Sequence, residues 1–121
     1  RRHKDTKFVL FHCSFPWTDD ALALGHNFGN VYPDLCWLPL LSPAEAEHFL
    51  ARALDTLDAH RLTWGCDTWT AEESYGALLA IRSVLTNVLS RRVADGYYTL
   101  DYAKRVGRYI LHDNAETIYG F

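Results

Sequence analysis

His12 and Asp67 each follow an apolar segment, and they are the first candidates for chemistry in this sequence. His12 ends the run FVLFH, and Asp67 ends LTWGCD. A neutral imidazole can bind a metal ion or act as a general base, and a carboxylate can bind a divalent metal and accept a proton from water. If the two segments are parallel strands of one sheet, both side chains lie at its carboxyl edge, where ligand chemistry gathers. We therefore expect His12 and Asp67 to face a shared cavity.

Both residues also have a structural interpretation. A lone histidine after an apolar run is more often a structural residue, and Asp67 could equally be a turn residue before a helix cap at Thr70. Asp34, after the other apolar segment, is interpreted as structural and is expected to bond backbone groups in its loop. The three cysteines are interpreted as small buried hydrophobic residues.

Tryptophans close to these segments are candidates for the wall of a substrate pocket. Packing is their simplest role, since an indole ring buries a large apolar surface. Trp37 and Trp69 come directly after predicted strands and are therefore the better candidates for contact with an apolar or ring-shaped substrate. Trp17, which follows the His12 segment, is the third candidate.

Three short apolar segments that must position these side chains are predicted to be strands: Phe8–His12, Val31–Trp37 and Leu62–Asp67. Their apolar runs are continuous rather than alternating, a pattern typical of parallel strands that are covered on both faces. Pro33 weakens the second prediction, because a proline cannot donate to a strand ladder.

Helix start signals follow each predicted strand. The first helix should begin at Thr18 and run to about Phe28, and later helices should begin at the capping boxes SPAE (42–45) and TAEE (70–73), at Thr99 and at Asn114. The resulting order is β-α-β-α-β-α-α, which predicts an α/β fold with parallel strands joined by helical crossovers. This is the repeat of a βα barrel, although three units cannot close one.

Composition restricts the classes of function. The 121 residues are 49% apolar, which fits a single domain over residues 1–121. The net charge of −3 and the scattered basic residues argue against nucleic-acid binding, and no segment approaches the roughly 20 apolar residues of a membrane span. Three cysteines without a CxxC pair indicate a reducing, cytoplasmic setting. Because the sequence lacks methionine even at position 1, we expect the natural polypeptide to begin further upstream.

Four segments together resemble the C-terminal part of the amidohydrolase superfamily, in the branch of amidohydrolase-related, metal-dependent hydrolases and uronate-isomerase-like proteins. They are FVLFHCSFPW, NVYPDLCW, LTWGCDTW and DNAETIYGF. The resemblance implies a partial TIM barrel that comprises strands six to eight and the C-terminal helices. It also implies that His12 is the sixth-strand histidine, a metal ligand or the group that orients water. Asp67 would then be the eighth-strand aspartate, a metal ligand and proton shuttle.

The departures from the family pattern are also informative. The family's H-x-H pair on the first strand is absent, and so are the ligands from its fourth and fifth strands. A complete barrel needs roughly 250 residues. A catalytic zinc ion usually has about three protein ligands, whereas His12 and Asp67 supply two at most. We therefore expect an incomplete metal site and a chain that, alone, binds a divalent metal such as zinc weakly and has no turnover.

Two functions from different classes follow. The first is that of a longer parent enzyme, which uses a divalent metal to activate water for attack on an amide, ester or related carbon centre of a small molecule. Zinc is the metal that we expect. Decarboxylation and uronate isomerisation use the same fold. In the alternative, the chain is a non-catalytic α/β domain that binds a partner or forms homo-oligomers through the two unpaired edges of an open sheet.

Overall fold

A small parallel sheet lies at one side of a helix-rich α/β fold in the computed structural model, which describes residues 3–121. Strand β1 (Phe8–Leu10) pairs with β2 (Val31–Pro33) in parallel, with Phe8 opposite Val31. A single parallel bridge between Asp34 and Thr63 adds the third segment to the other side of β2. The predicted α/β class and the parallel direction of the strands are thus observed.

All three strands are shorter than the sequence indicates. The predicted strands Phe8–His12, Val31–Trp37 and Leu62–Asp67 are reduced to Phe8–Leu10, Val31–Pro33 and the bridge at Thr63. The predictions of the strand ends were wrong because the chain turns sharply after each apolar segment. His12, Trp37 and Asp67 have positive φ angles of 58°, 54° and 51°, a left-handed conformation that an extended strand does not contain.

Pro33 is accommodated without loss of a bond in the strand ladder. Its carbonyl accepts a hydrogen bond from the Thr63 backbone N–H (3.3 Å), and the next residue, Asp34, donates its N–H to the Leu10 carbonyl (3.0 Å). Neither bond requires an N–H from proline.

Within residues 3–121 the structure contains six α-helices: α1 (Thr18–Asn27), α2 (Leu38–Leu41), α3 (Pro43–Thr56), α4 (Ala71–Ala94), α5 (Leu100–Arg108) and α6 (Asn114–Tyr119). A 3₁₀ turn (Ala59–Arg61) precedes the third segment, and a π-helical turn (Tyr109–Asp113) joins α5 to α6. Helix α2 is one turn long and was not predicted. In the part of the chain that the structure describes, no helix is long and apolar enough to cross a membrane.

Most helix starts are as predicted. Ser42, Thr70 and Thr99 each accept a hydrogen bond at the side-chain oxygen from the backbone N–H three residues further on (3.2 Å in each case). Thr18 does not cap α1. Its buried hydroxyl donates instead to Glu45 Oε1 (2.5 Å) and so joins the start of α1 to the start of α3.

One hydrophobic core lies between the helices and the sheet. The predicted apolar stripes of α3 and α4 supply much of it, since Ala46, Phe49, Leu50, Ala53, Ile81, Leu85, Val88 and Leu89 are buried. Leu35 and Leu62, beside β2 and in the third segment, are also fully buried. Each such large side chain contributes roughly 1.5–3 kcal/mol relative to an exposed one.

Strand β1 is only half covered, in contrast to the prediction of strands covered on both faces. Val9 and Leu10 are partly buried, and the rings of Phe8 and, just beyond the strand, Phe11 are exposed. β2 differs, because Val31 and Pro33 are buried. The face and the edge of β1 therefore remain open in this chain.

Candidate metal centre

A tight left-handed turn presents His12 at the carboxyl end of β1. His12, Cys13 and Ser14 all have positive φ angles, and the Cys13 N–H donates to the Asp34 carbonyl (2.9 Å). Such a backbone conformation costs about 1–3 kcal/mol for each non-glycine residue and is concentrated at functional sites. The hydrogen bond to Asp34 holds the turn against the end of β2.

The His12 ring is oriented by a backbone carbonyl. Nδ1 lies 2.9 Å from the Cys36 carbonyl oxygen. Because that oxygen can only accept, Nδ1 carries the proton and donates it. In the neutral form of the ring, Nε2 then has the lone pair, and it lies 3.4 Å from Oδ2 of Asp67. The two residues expected to share a cavity are thus neighbours.

The atoms that face each other across this gap are both electron-pair donors. In this tautomer Nε2 has no proton, and the ionised carboxylate of Asp67 only accepts. Two such donors 3.4 Å apart need a cation or a proton between them. A ring that donates Nδ1–H to a carbonyl and presents Nε2 is the usual arrangement of a metal-binding histidine. The residues present therefore fit part of a divalent-metal site.

Cys36 completes a group of three possible ligands that the sequence interpretation missed. Within residues 3–121, the ligand atoms of His12, Cys36 and Asp67 lie within 4.8 Å of one another. Cys36 Sγ, however, is 3.5 Å from Nδ1, the ring nitrogen that already donates to a carbonyl. Burial, and then the charge of Asp34, raise the pKa of the Cys36 thiol to about 12, which disfavours the thiolate that a metal needs. His12 and Asp67 are the stronger ligand pair.

Asp34 bonds the backbone of its own loop, as predicted. Its buried carboxylate accepts the Cys36 backbone N–H at Oδ1 (2.8 Å). Burial raises the pKa of Asp34, and the hydrogen bond from Cys36 opposes that shift because it favours the charged form. Asp34 therefore fixes the peptide group that precedes Cys36.

The three tryptophans lie in different surroundings. Trp37 contacts the site, with its ring edge-on to His12 at 5.6 Å between centroids. Trp17 and Trp69 are 68% and 96% exposed, so packing does not explain either one in this structure. The structure places Trp37 against His12, and the substrate contacts predicted for Trp37, Trp17 and Trp69 all stay predictions.

Sequence reasoning identified His12 and Asp67 but not the groups that hold them. The carbonyl of Cys36 has no side-chain signature, and its partner lies 24 residues away in the chain. The only available signal was the short spacing between Asp34 and Cys36, which is typical of an aspartate that bonds the N–H two residues further on.

The chain is similar to known proteins over nearly its whole length. The sequence model of the amidohydrolase family matches residues 1–121. The protein FluG of Emericella nidulans is 31% identical over 120 residues, which are 98% of this chain and 14% of FluG. A solved structure from Lactobacillus casei, assigned as a metal-dependent hydrolase, superposes with a TM-score of 0.81 at 25% identity and covers 97% of this chain. The match covers only 30% of that solved chain, so this chain spans a minor part of both relatives.

Proposed function

This chain belongs to the amidohydrolase family, and from that premise we propose that it carries the His12 and Asp67 part of a divalent-metal site in a longer hydrolase. The observation that carries the proposal is the geometry of His12, whose Nε2 lies 3.4 Å from the Asp67 carboxylate while its Nδ1 lies 2.9 Å from the Cys36 carbonyl oxygen. The other ligands would lie on the part of the longer protein that this chain does not span.

The open face of β1 supports a place in a larger barrel. Among the described residues, the edge of β1 that faces away from β2 has no strand partner, and Phe8 and Phe11 are exposed at this strand. Exposed apolar groups of this size generally mark a surface that another segment covers. We propose that the three parallel segments are strands six to eight of a (β/α)8 barrel and that the missing strands pair with these edges.

A metal ion held by this site, zinc in our proposal, would supply a Lewis acid that makes water a nucleophile near neutral pH. His12 holds its Nε2 lone pair towards that position because its Nδ1 proton is bonded to a backbone carbonyl. The Asp67 carboxylate is half exposed and can accept a proton from water and return it to a leaving group. Trp37 covers one flank of the His12 ring and would contact a small-molecule substrate.

The reaction class that we propose is hydrolysis of an amide, ester or related carbon centre. Decarboxylation and isomerisation of a uronate use the same kind of site, and distinguishing them requires the complete barrel. The chain by itself is expected to bind zinc weakly and to have no turnover, because two ligands are fewer than a catalytic zinc usually needs. Hydrolase turnover by the isolated chain would contradict that expectation.

Zinc affinity of the full 121-residue chain, measured by competition with a chromophoric chelator, tests the proposal. We expect Asp67→Asn and His12→Gln each to weaken zinc binding by about 10-fold or more, in the range that loss of metal-site groups produces. His112 and Asp113 provide a matched control, since they form a second histidine–aspartate pair (3.1 Å) away from the strand ends. His112→Gln should leave zinc affinity unchanged. Equal affinity in wild type, Asp67→Asn and His112→Gln would refute the proposed site.

A non-catalytic domain that associates with itself is the second candidate, and the unpaired edge of β1 is the observation that favours it. Sedimentation of the metal-free chain distinguishes the two candidates. A concentration-dependent dimer that binds no zinc would favour the second, and a monomer that binds zinc through Asp67 would favour the first.

A further inference from the structure

Asp34 bonds both of the segments whose mutual hydrogen bond orients His12. Its Oδ1 accepts the Cys36 N–H (2.8 Å), and its backbone carbonyl accepts the Cys13 N–H (2.9 Å). One residue therefore bonds both the turn that carries the imidazole and the loop that carries the carbonyl. Asp34 is 5% exposed, so these bonds are shielded from competition with water.

The Cys36 carbonyl can orient His12 only if its peptide segment is fixed. It accepts both His12 Nδ1 (2.9 Å) and the Leu38 N–H (2.6 Å). On the other side, the Leu35 N–H donates to the Thr63 carbonyl (2.9 Å). The peptide between Leu35 and Cys36 is held by the Asp34 side chain, because the Cys36 N–H donates to that carboxylate.

We propose that Asp34 is a positioning residue, which fixes the Nδ1–H tautomer of His12 through the Cys36 loop and so keeps Nε2 free for the metal. The zinc part of this inference rests on the proposed function, whereas the tautomer part does not. Without the Asp34 acceptor, the peptide between Leu35 and Cys36 can rotate. That rotation moves Cys36 and withdraws its carbonyl, which lies in the next peptide, from Nδ1. The imidazole then loses its fixed tautomer, and Nε2 can carry the proton that blocks metal binding.

The tautomer is measured directly by long-range ¹H–¹⁵N NMR on the metal-free, ¹⁵N-labelled full chain at about pH 8.5, where histidines are ordinarily neutral. The His12 signal is assigned with the His12→Gln variant. In the wild-type chain we expect Nδ1 to be the protonated nitrogen. In Asp34→Ala we expect a mixture of tautomers and a zinc affinity about 10- to 100-fold weaker.

Two further variants separate positioning from a general effect on folding. Asp34→Asn retains an oxygen that can accept the Cys36 N–H, so the Nδ1–H tautomer and nearly all of the zinc affinity should be rescued. Asp58→Ala removes the same kind of bond at another place, since Asp58 Oδ1 accepts the His60 N–H (2.9 Å). Asp58→Ala should change neither the tautomer of His12 nor the zinc affinity.

A folded Asp34→Ala chain with wild-type tautomer and zinc affinity would overturn the inference, and so would a wild-type chain without Nδ1–H at His12. If Asp34→Ala does not fold, Asp34→Asn decides: retention of the tautomer supports the inference, and its loss in a folded chain overturns it. A wild-type chain that has the tautomer but binds no zinc would refute the proposed function while leaving the tautomer part intact.

Discussion

Asn114 offers a sharp test of how the C-terminal helix supports the segment that leads to Asp67. Its side chain is 2% exposed, and both hydrogens of its amide group are used. Nδ2 donates to the Ala59 carbonyl and to the Leu62 carbonyl, at 2.7 Å each. Leu62 directly precedes Thr63, the residue that bridges to Asp34, so the start of α6 holds the third segment in place.

The expected cost of Asn114→Ala follows from these two bonds. A neutral hydrogen bond contributes about 1 kcal/mol net, and a buried acceptor left without a partner costs about 1–3 kcal/mol. The buried Leu62 carbonyl loses its partner, whereas the Ala59 carbonyl still accepts the Leu62 N–H (3.4 Å). One lost bond and one orphaned acceptor together should lower the free energy of unfolding by about 2–4 kcal/mol. Asn114→Asp should be at least as damaging near neutral pH, because an ionised carboxylate cannot donate to either carbonyl.

Equilibrium urea unfolding, followed by circular dichroism and tryptophan fluorescence, measures this cost. Asn87→Ala is the matched control, since Asn87 Nδ2 donates to Glu47 Oε1 (2.7 Å) on the exposed side of α4. That variant should change the free energy of unfolding by less than about 0.5 kcal/mol. An Asn114→Ala variant as stable as Asn87→Ala would refute the reasoning that α6 supports the third segment through this amide.

Three more predictions concern the core, a helix cap and a buried thiol. Phe49→Ala should lower the free energy of unfolding by about 3–5 kcal/mol because it leaves a cavity in the core. The control variant Phe121→Ala, at a 78% exposed ring, should have nearly wild-type stability. Similar midpoints of urea unfolding for the two variants would contradict this prediction. Thr70→Ala should lower the free energy of unfolding by about 1 kcal/mol, measured by thermal unfolding, because the Glu73 N–H loses its acceptor. Thr70→Ser keeps a hydroxyl and should recover most of this stability. Equal losses in both variants would argue against the cap. Burial raises the pKa of Cys36 from an ordinary 9.0 to about 12, so the unfolded chain loses this proton at lower pH than the folded one. The free energy of unfolding should therefore fall as pH rises from about 9 towards 12. Cys36→Ser should make this dependence on pH less steep. An unchanged dependence would show that groups other than Cys36 cause it.

The sequence identified those parts of the molecule whose signals are local. Ser42, Thr70 and Thr99 cap their helices as predicted, because a side-chain oxygen three residues before a free N–H is a short-range arrangement. The parallel direction of the strands followed from the alternation of strand and helix signals. His12 and Asp67 were selected by residue type and position, and they lie together as expected.

Tertiary contacts determined the details that give the site its chemistry. Residue patterns do not reveal that the chain turns left-handed at His12, because the turn is held by a bond from Cys13 to a carbonyl 21 residues away. They do not reveal the Cys36 carbonyl as the partner of Nδ1 either, because a backbone oxygen is the same in every residue. Local propensity and hydrophobic pattern therefore predicted most of the elements and two of the side chains that could do chemistry. The tautomer of His12 and the orientation of its free nitrogen depend on long-range hydrogen bonds that exist only in the folded chain.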